Sequence, residues 1–179
     1  SDDGFGWSLS ASGPVDLVDQ LAPRGGLQQQ IRITINDIDW VFTVKRPVRT
    51  RSFEGWQASV SGQSVTSLLG APYRKSQQWG ISSTMTAQQI AIEALQYSGV
   101  ELEWSAVDWQ VPASAWSHEG TPLSVVMRIA EAAGAVVRSH RTDPVLQVVP
   151  QYGVLPWAWA SAVPDVQMPG QIILQDTLT

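Results

Sequence analysis

Two helix-bounding signatures interrupt a chain that otherwise alternates like β-sheet, and together they restrict the fold to a mixed α+β arrangement. In Thr86-Ala87-Gln88-Gln89 a hydroxyl and a Gln three residues later can satisfy the free N–H groups of a first helical turn. Ile90, Ala91, Ala94 and Leu95 then form one apolar stripe, and Gly99 stands where a left-handed cap would end the helix. Thr121 repeats the start, with Pro122 at the tolerated first turn. Val125, Val126, Ile129 and Ala130 form its stripe, and Gly134 its stop. The two Thr lie 35 residues apart, and so do the two Gly. Helices are expected over 86–98 and 121–133, each leading into a strand, Val100–Trp104 and Ala135–Ser139. An internal duplication and convergence on a common helix pattern account for this equally well.

The first third reads as β. Phe5, Trp7, Leu9 and Ala11 alternate with Gly and Ser. Ile31, Ile33 and Ile35 alternate with polar residues, the Asn36-Asp37 pair turns, and Trp40, Phe42 and Val44 share the next strand face. Residues 29–46 are therefore expected to be a hairpin. Trp56–Gly62 reads as a further strand, followed by a short helical stretch closed by Gly70. Ala135–Arg141 and Val145–Val149, around Thr142-Asp143-Pro144, form a second hairpin. Beyond Val149, Pro150 and Pro156 flank Val154-Leu155 and predict a rigid, extended path, with Trp157 and Trp159 on opposite sides of it. Ile172-Ile173-Leu174 is a final apolar run. The opening at Ser1 without Met, and that unpartnered run, lead us to expect a piece of a longer polypeptide.

Composition narrows the function classes. Cysteine is absent, so neither disulfides nor thiolate zinc sites are available. His118 and His140 are too few for a His-based metal site. No run is long enough to span a membrane as a helix. Residues 1–75 carry a net +1 and residues 76–179 a net −6. The basic cluster Lys45, Arg46, Arg49 and Arg51 fits a solvated strand end and loop better than a nucleic-acid surface. Nine Trp against three Tyr and three Phe point to burial and subunit contact. Trp7, Trp40 and Trp56 are expected in the core. Tyr152, Trp157 and Trp159 are the candidates for an inter-domain or subunit contact.

Phosphate loops and the common hydrolase motifs are missing from the sequence. His118-Glu119 is the one adjacent acid–base pair, and a polar pair near a helix cap explains it better than catalysis. Glu101 and Glu103 share a strand face that is expected to be solvated. Neither a catalytic residue nor a metal or other cofactor is assigned. Trp104, Trp109 and Trp116 cluster between the helices. As an alternative to packing they offer a stacking platform for a glycan, which would make the chain a carbohydrate-binding module of a tail or cell-surface protein.

Several passages in a fixed order carry a family resemblance. Val60-Ser61-Gly62-Gln63, Leu68 and Ala71-Pro72 resemble the V-x-G-R, L and A-P positions of phage tail baseplate hub proteins. The helix from Thr86, then Trp116–Pro122, then Ala130–Ala135 follow as in that family. Val148–Trp157 resembles its V-x-P-R-Y-P-V-x-P-W passage, with Gln151 in place of Arg and Gly153 in place of Pro; Gln63 likewise replaces Arg. The resemblance runs from about Gly6 to Pro164. It extends to the central hub of contractile tails, to hubs of long non-contractile tails and to the bases of type VI secretion spikes.

This resemblance implies an antiparallel β-barrel-like tail-tube domain with an inserted two-helix α+β region. Residues 1–72 would be the barrel-like part, 73–150 the α+β region and 151–179 the exit segment back towards the barrel layer. It also implies a non-enzymatic structural protein of the virion tail. Its partners would be itself, as a trimer, together with the tube, spike or fibre proteins, and DNA would pass through a lumen, which is the alternative to a loop as the place of the Lys45, Arg46, Arg49 and Arg51 cluster.

Overall fold

The computed structural model describes residues 5–25, 28–53, 55–154 and 156–163. The first hairpin forms as the alternation predicts, β2 (Gln30–Ile35) antiparallel to β3 (Ile38–Ser52). Asn36 and Asp37 both take left-handed φ values, 50° and 61°. A two-residue turn of that hand matches the twist of the flanking strands. β4 (Gly55–Ser64) and β1 (Ser8–Gly13) add antiparallel to give the order β1-β4-β3-β2. Among the described residues this sheet is open, with β1 and β2 at its edges.

β3 runs further than its sequence suggests. A bulge between Val44 and Arg46 absorbs Lys45, and the strand continues through Pro47 to Ser52. Pairing with β2 stops at Thr43, so Pro47 lies where β3 is itself an edge, which is where a residue without an N–H is tolerated. Val44, Ala58 and Val60 are buried. A single helical turn, α1 (Leu17–Gln20), rests against β3 and β4. Gly13 makes room for it, since a Cβ there would lie 2.7 Å from the Leu17 side chain.

Trp7 and Trp56 are not in the core as expected. They are 46% and 52% exposed, and Trp40 is half-buried. Alternation places side chains on a common face but does not decide whether anything covers that face. Trp7 meets Trp40 edge-on at 4.6 Å, and Trp56 lies beneath the Arg51 guanidinium.

After a 3-10 turn over Val65–Leu69, the chain enters the α+β part. Here α2 (Ala87–Leu95) and α3 (Pro122–Ala132) pack on each other. Both predicted caps form. The Thr86 hydroxyl accepts from Gln89 N at 3.2 Å while the Gln89 side chain accepts from Thr86 N at 2.9 Å, and Thr121 caps α3. α2 ends at Leu95, a turn earlier than expected. Gln96 leaves helical ψ, and Tyr97 as well as Gly99 adopts positive φ, so two left-handed residues rather than one turn the chain.

The helices lead into β7 (Glu101–Trp104) and β10 (Ala135–Ser139), which flank β11 (Val145–Pro150) in the order β10-β11-β7. β7 runs parallel to β11 and β10 antiparallel, so the two helix–strand units enter this small sheet from opposite edges. Glu101 and Glu103 are exposed on β7, as expected. Two short ladders complete the region: β5 (Gln77–Gly80) with β9 (Ser117–Gly120), and β6 (Met85–Thr86) with β8 (Gln110–Val111).

The core has two lobes. Ala91, Leu95, Val126 and Ala130 face Val137, Leu146 and Val148 of the small sheet. On the other side of the helices, Ile90, Ala94, Val125 and Ile129 are covered by Trp79, Trp109 and Trp116. Phe5, although it precedes β1, is buried in the first lobe.

Buried hydroxyls join the open sheet to the α+β part. Thr66 Oγ1 donates to Ser139 Oγ at 2.7 Å, while at the sheet end beside it Ser64 Oγ accepts from Trp7 N at 2.6 Å. Trp7 Nε1 donates to Ser139 O, and Val41 N donates to Arg141 O. Ser64, Thr66 and Ser139 are nearly inaccessible, and each has a partner, which is the condition for burying such groups cheaply.

The exit segment departs from the extended path. β11 ends at Pro150 as predicted, but Pro156–Ser161 is a 3-10 helical turn. Proline's fixed φ suits the start of a helical turn as well as an extended chain, which is why the sequence did not separate the two. The Ile172–Leu174 run lies outside the described residues.

Candidate functional site

The three Trp read as one platform do not form one. Trp104, on β7, spans both core lobes, and its Nε1 is buried without a partner. Its contribution is packing. Trp109, just before β8, and Trp116, just before β9, come together against α3, bordering a hollow of about 360 Å³. Ile90, Val111, Ala115 and Ile129 contribute apolar walls, and Arg128 and Glu131 from the solvent face of α3 close one side.

Arg128 and Glu131 are themselves an ion pair, with Nη1 to Oε2 at 2.8 Å. Spaced three residues apart, they are neighbours on the helix surface. The same pair borders a second hollow of about 610 Å³, between α3, β9 and β10, which His118, Ser124, Met127 and Arg138 also line. An aromatic hollow and a polar one therefore adjoin across this ion pair. Arg128, Glu131 and Arg138 were missed in the sequence. Their helical spacing was readable there, but nothing local connects that helix face to the loops bearing Trp109 and Trp116.

His118 and Glu119 are consecutive on β9 and so point to opposite faces of the strand. His118 Nε2 lies 3.0 Å from Ser124 Oγ, whose hydroxyl donates to Thr121 O at 2.8 Å. With that proton committed, Ser124 Oγ accepts and His118 Nε2 donates. The local geometry does not make His118 a base for Ser124, and Glu119 does not orient the ring.

The basic cluster also disperses. Arg49 pairs with Asp19 of α1 at 3.3 Å, and Arg51 stacks over Trp56 at 5.4 Å to the ring centroid. Arg46 is exposed just past the bulge. Lys45 borders a different hollow, with Trp7, Gln63 and Thr121, between the sheet and α3. These cations decorate strand faces and do not line one track.

Of Tyr152, Trp157 and Trp159, the first and the last come together. The Tyr152 and Trp159 rings lie 6.0 Å apart, and Trp159 Nε1 donates to Val154 O at 2.9 Å. Trp157 remains 80% exposed. Among the described residues no group of three or more His, Asp or Glu gathers to hold a metal, and no helix is long and apolar enough to cross a membrane.

No protein-family profile and no curated protein sequence matches the chain. Solved structures do. The chain is similar to parts of tail proteins, two of them from prophages. One is the 43 kDa tail protein of prophage MuSo2 from Shewanella oneidensis, at 15% identity and TM-score 0.46 over 82% of this chain and 47% of that one. A tail protein of Neisseria meningitidis matches at 14% identity and TM-score 0.49, over 80% and 41%. Prophage tail protein gp18 of Listeria monocytogenes matches at 14% and 0.48, over 86% and 47%. The chain spans less than half the length of each.

Proposed function

We propose that this chain is part of a phage or prophage tail, within the central hub that joins the tail tube to the spike or fibres. The observation that carries the reading is the ordered set of hub-like passages, Val60–Pro72, Trp116–Pro122, Ala130–Ala135 and Val148–Trp157. In the fold these passages are the β4 end with its 3-10 turn, the β9–α3 junction, the end of α3, and the exit from β11. They are therefore the joints of the structure, where the sequence determines how one element hands over to the next.

The exposed sheet supports an assembly role. Among the described residues, its edges β1 and β2 offer unpaired backbone groups, and β3 has a free edge beyond the bulge. Ile35, Ile38, Val48 and Trp56 are exposed on it, and Phe53 on the turn between β3 and β4. Free edges and apolar side chains together favour pairing with another chain. In the hub, copies of this sheet close a barrel-like ring as a trimer, DNA passes through the lumen, and Trp157 and Trp159 contact a neighbouring domain or subunit. The part played is structural and not enzymatic. Light scattering on the complete polypeptide that carries this sequence should give three copies per particle, and a strictly monomeric polypeptide would contradict the hub reading.

A further inference from the structure

The indole N–H groups divide the tryptophans. Trp7, Trp79 and Trp159 donate theirs to the backbone carbonyls of Ser139, Gly120 and Val154, at 3.3, 2.9 and 2.9 Å. An indole settled into packing normally makes such a bond. Trp109 and Trp116 make none, yet neither nitrogen is a buried, unpartnered atom. Both donors therefore meet solvent while both rings are half-buried on the same hollow. These are half-buried aromatic side chains with solvent-facing donors beside an exposed ion pair.

We propose that the Trp109–Trp116 hollow and its neighbour across Arg128–Glu131 bind an acidic oligosaccharide. The apolar C–H face of a sugar ring is drawn to the face of an indole, and two indole side chains border the hollow. Ring hydroxyls are matched by the indole donors and by the planar Arg128 and Glu131 groups, already held together. The next sugar enters the adjoining hollow, where His118 and Arg138 stand. Arg138 has no acidic partner among the described residues, so a sugar carboxylate is its natural complement. Sites of this kind combine aromatic walls with a few fixed polar groups. The inference does not depend on the tail assignment.

An extended peptide is the competing occupant. It would use the free edge of β10, where the backbone groups of Ala135 and Val137 point away from β11. That edge lies in the second hollow and away from both indoles.

The test is an amide and indole N–H nuclear magnetic resonance titration of the chain with tetragalacturonate, with maltotetraose and with an acidic peptide. Trp109→Phe and Trp116→Phe variants assign the two indole signals. With tetragalacturonate the Trp109 and Trp116 indole signals should shift and saturate at millimolar concentration, with weaker shifts for maltotetraose. Trp116→Ala should weaken binding about three- to tenfold. Arg138→Ala should remove the preference for the acidic sugar, and the dispersed spectrum verifies the fold of each variant. The proposal is overturned by indole signals unchanged with both sugars, by equal binding of the two sugars, or by shifts seen only with the peptide at Ala135 and Val137.

Discussion

Thr66 Oγ1 and Ser139 Oγ lie 2.7 Å apart, both residues almost wholly buried, where the 3-10 turn after β4 meets the end of β10. Ser139 Oγ in turn donates to His140 O at 3.2 Å, and Ser139 N donates to Phe5 O. This chain of donors fixes the open sheet against the helical part. Thr66→Val should cost about 1–3 kcal/mol because it removes a donor whose partner stays buried. Adding Ser139→Ala should cost less than the sum of the two single changes, by about 0.5–3 kcal/mol. Urea denaturation of the four proteins in this cycle measures both quantities, and strict additivity would show that the two hydroxyls act separately.

Trp79 and Trp104 allow a matched comparison of indole donors. Trp79 Nε1 donates to Gly120 O at 2.9 Å, whereas Trp104 Nε1 is buried without a partner. Trp→Phe at either site trims a similar ring. Trp79→Phe also removes a hydrogen bond to the half-buried Gly120 carbonyl, while Trp104→Phe removes an unsatisfied donor. The Trp79 variant should be the less stable of the two by about 1–3 kcal/mol, as read from denaturant midpoints.

Gly120 ends β9 where α3 begins. A Cβ there would lie 2.1 Å from Ser124 Oγ and 2.8 Å from His118 Nε2. Ser124 cannot simply swing away, because its hydroxyl is tied to Thr121 O. Gly120→Ala should therefore destabilise the chain by about 1–3 kcal/mol. It should also perturb the His118 ring signals in a magnetic resonance spectrum. A variant with unchanged stability would mean that the β9–α3 junction relaxes freely.

Trp157 and Trp159 lie on an exposed turn, 80% and 55% accessible. Replacing Trp157 by Ala should change the stability of the chain by less than about 0.5 kcal/mol. If the residue belongs to an assembly surface, the same change in the complete polypeptide should reduce its incorporation into particles. A large loss of stability in the chain alone would place Trp157 in the chain's own packing instead.

What was legible in the sequence was local. The Asn36-Asp37 hairpin and the two Thr-capped helix starts each depend on a few consecutive residues, and each appears where the pattern placed it. The α2 terminus was misplaced because Gly99 is an obvious left-handed residue while Tyr97, which also adopts positive φ, is not. Trp7 and Trp56 were misread because exposure depends on what covers a face, which alternation cannot show. The hollow beside Trp109 and Trp116 was half visible. The aromatic residues stood out, but Arg128 and Glu131 reach them only through the packing of α3 on α2.

The central claim, a place in the tail hub, is tested most directly on particles. A lysogen carrying the complete reading frame with an epitope tag is induced, the particles are purified, and gold-labelled antibody is located by electron microscopy. Label confined to the tail end distal to the head, where tube meets spike or fibres, is the predicted result. Purified particles that lack the tagged polypeptide altogether would contradict it.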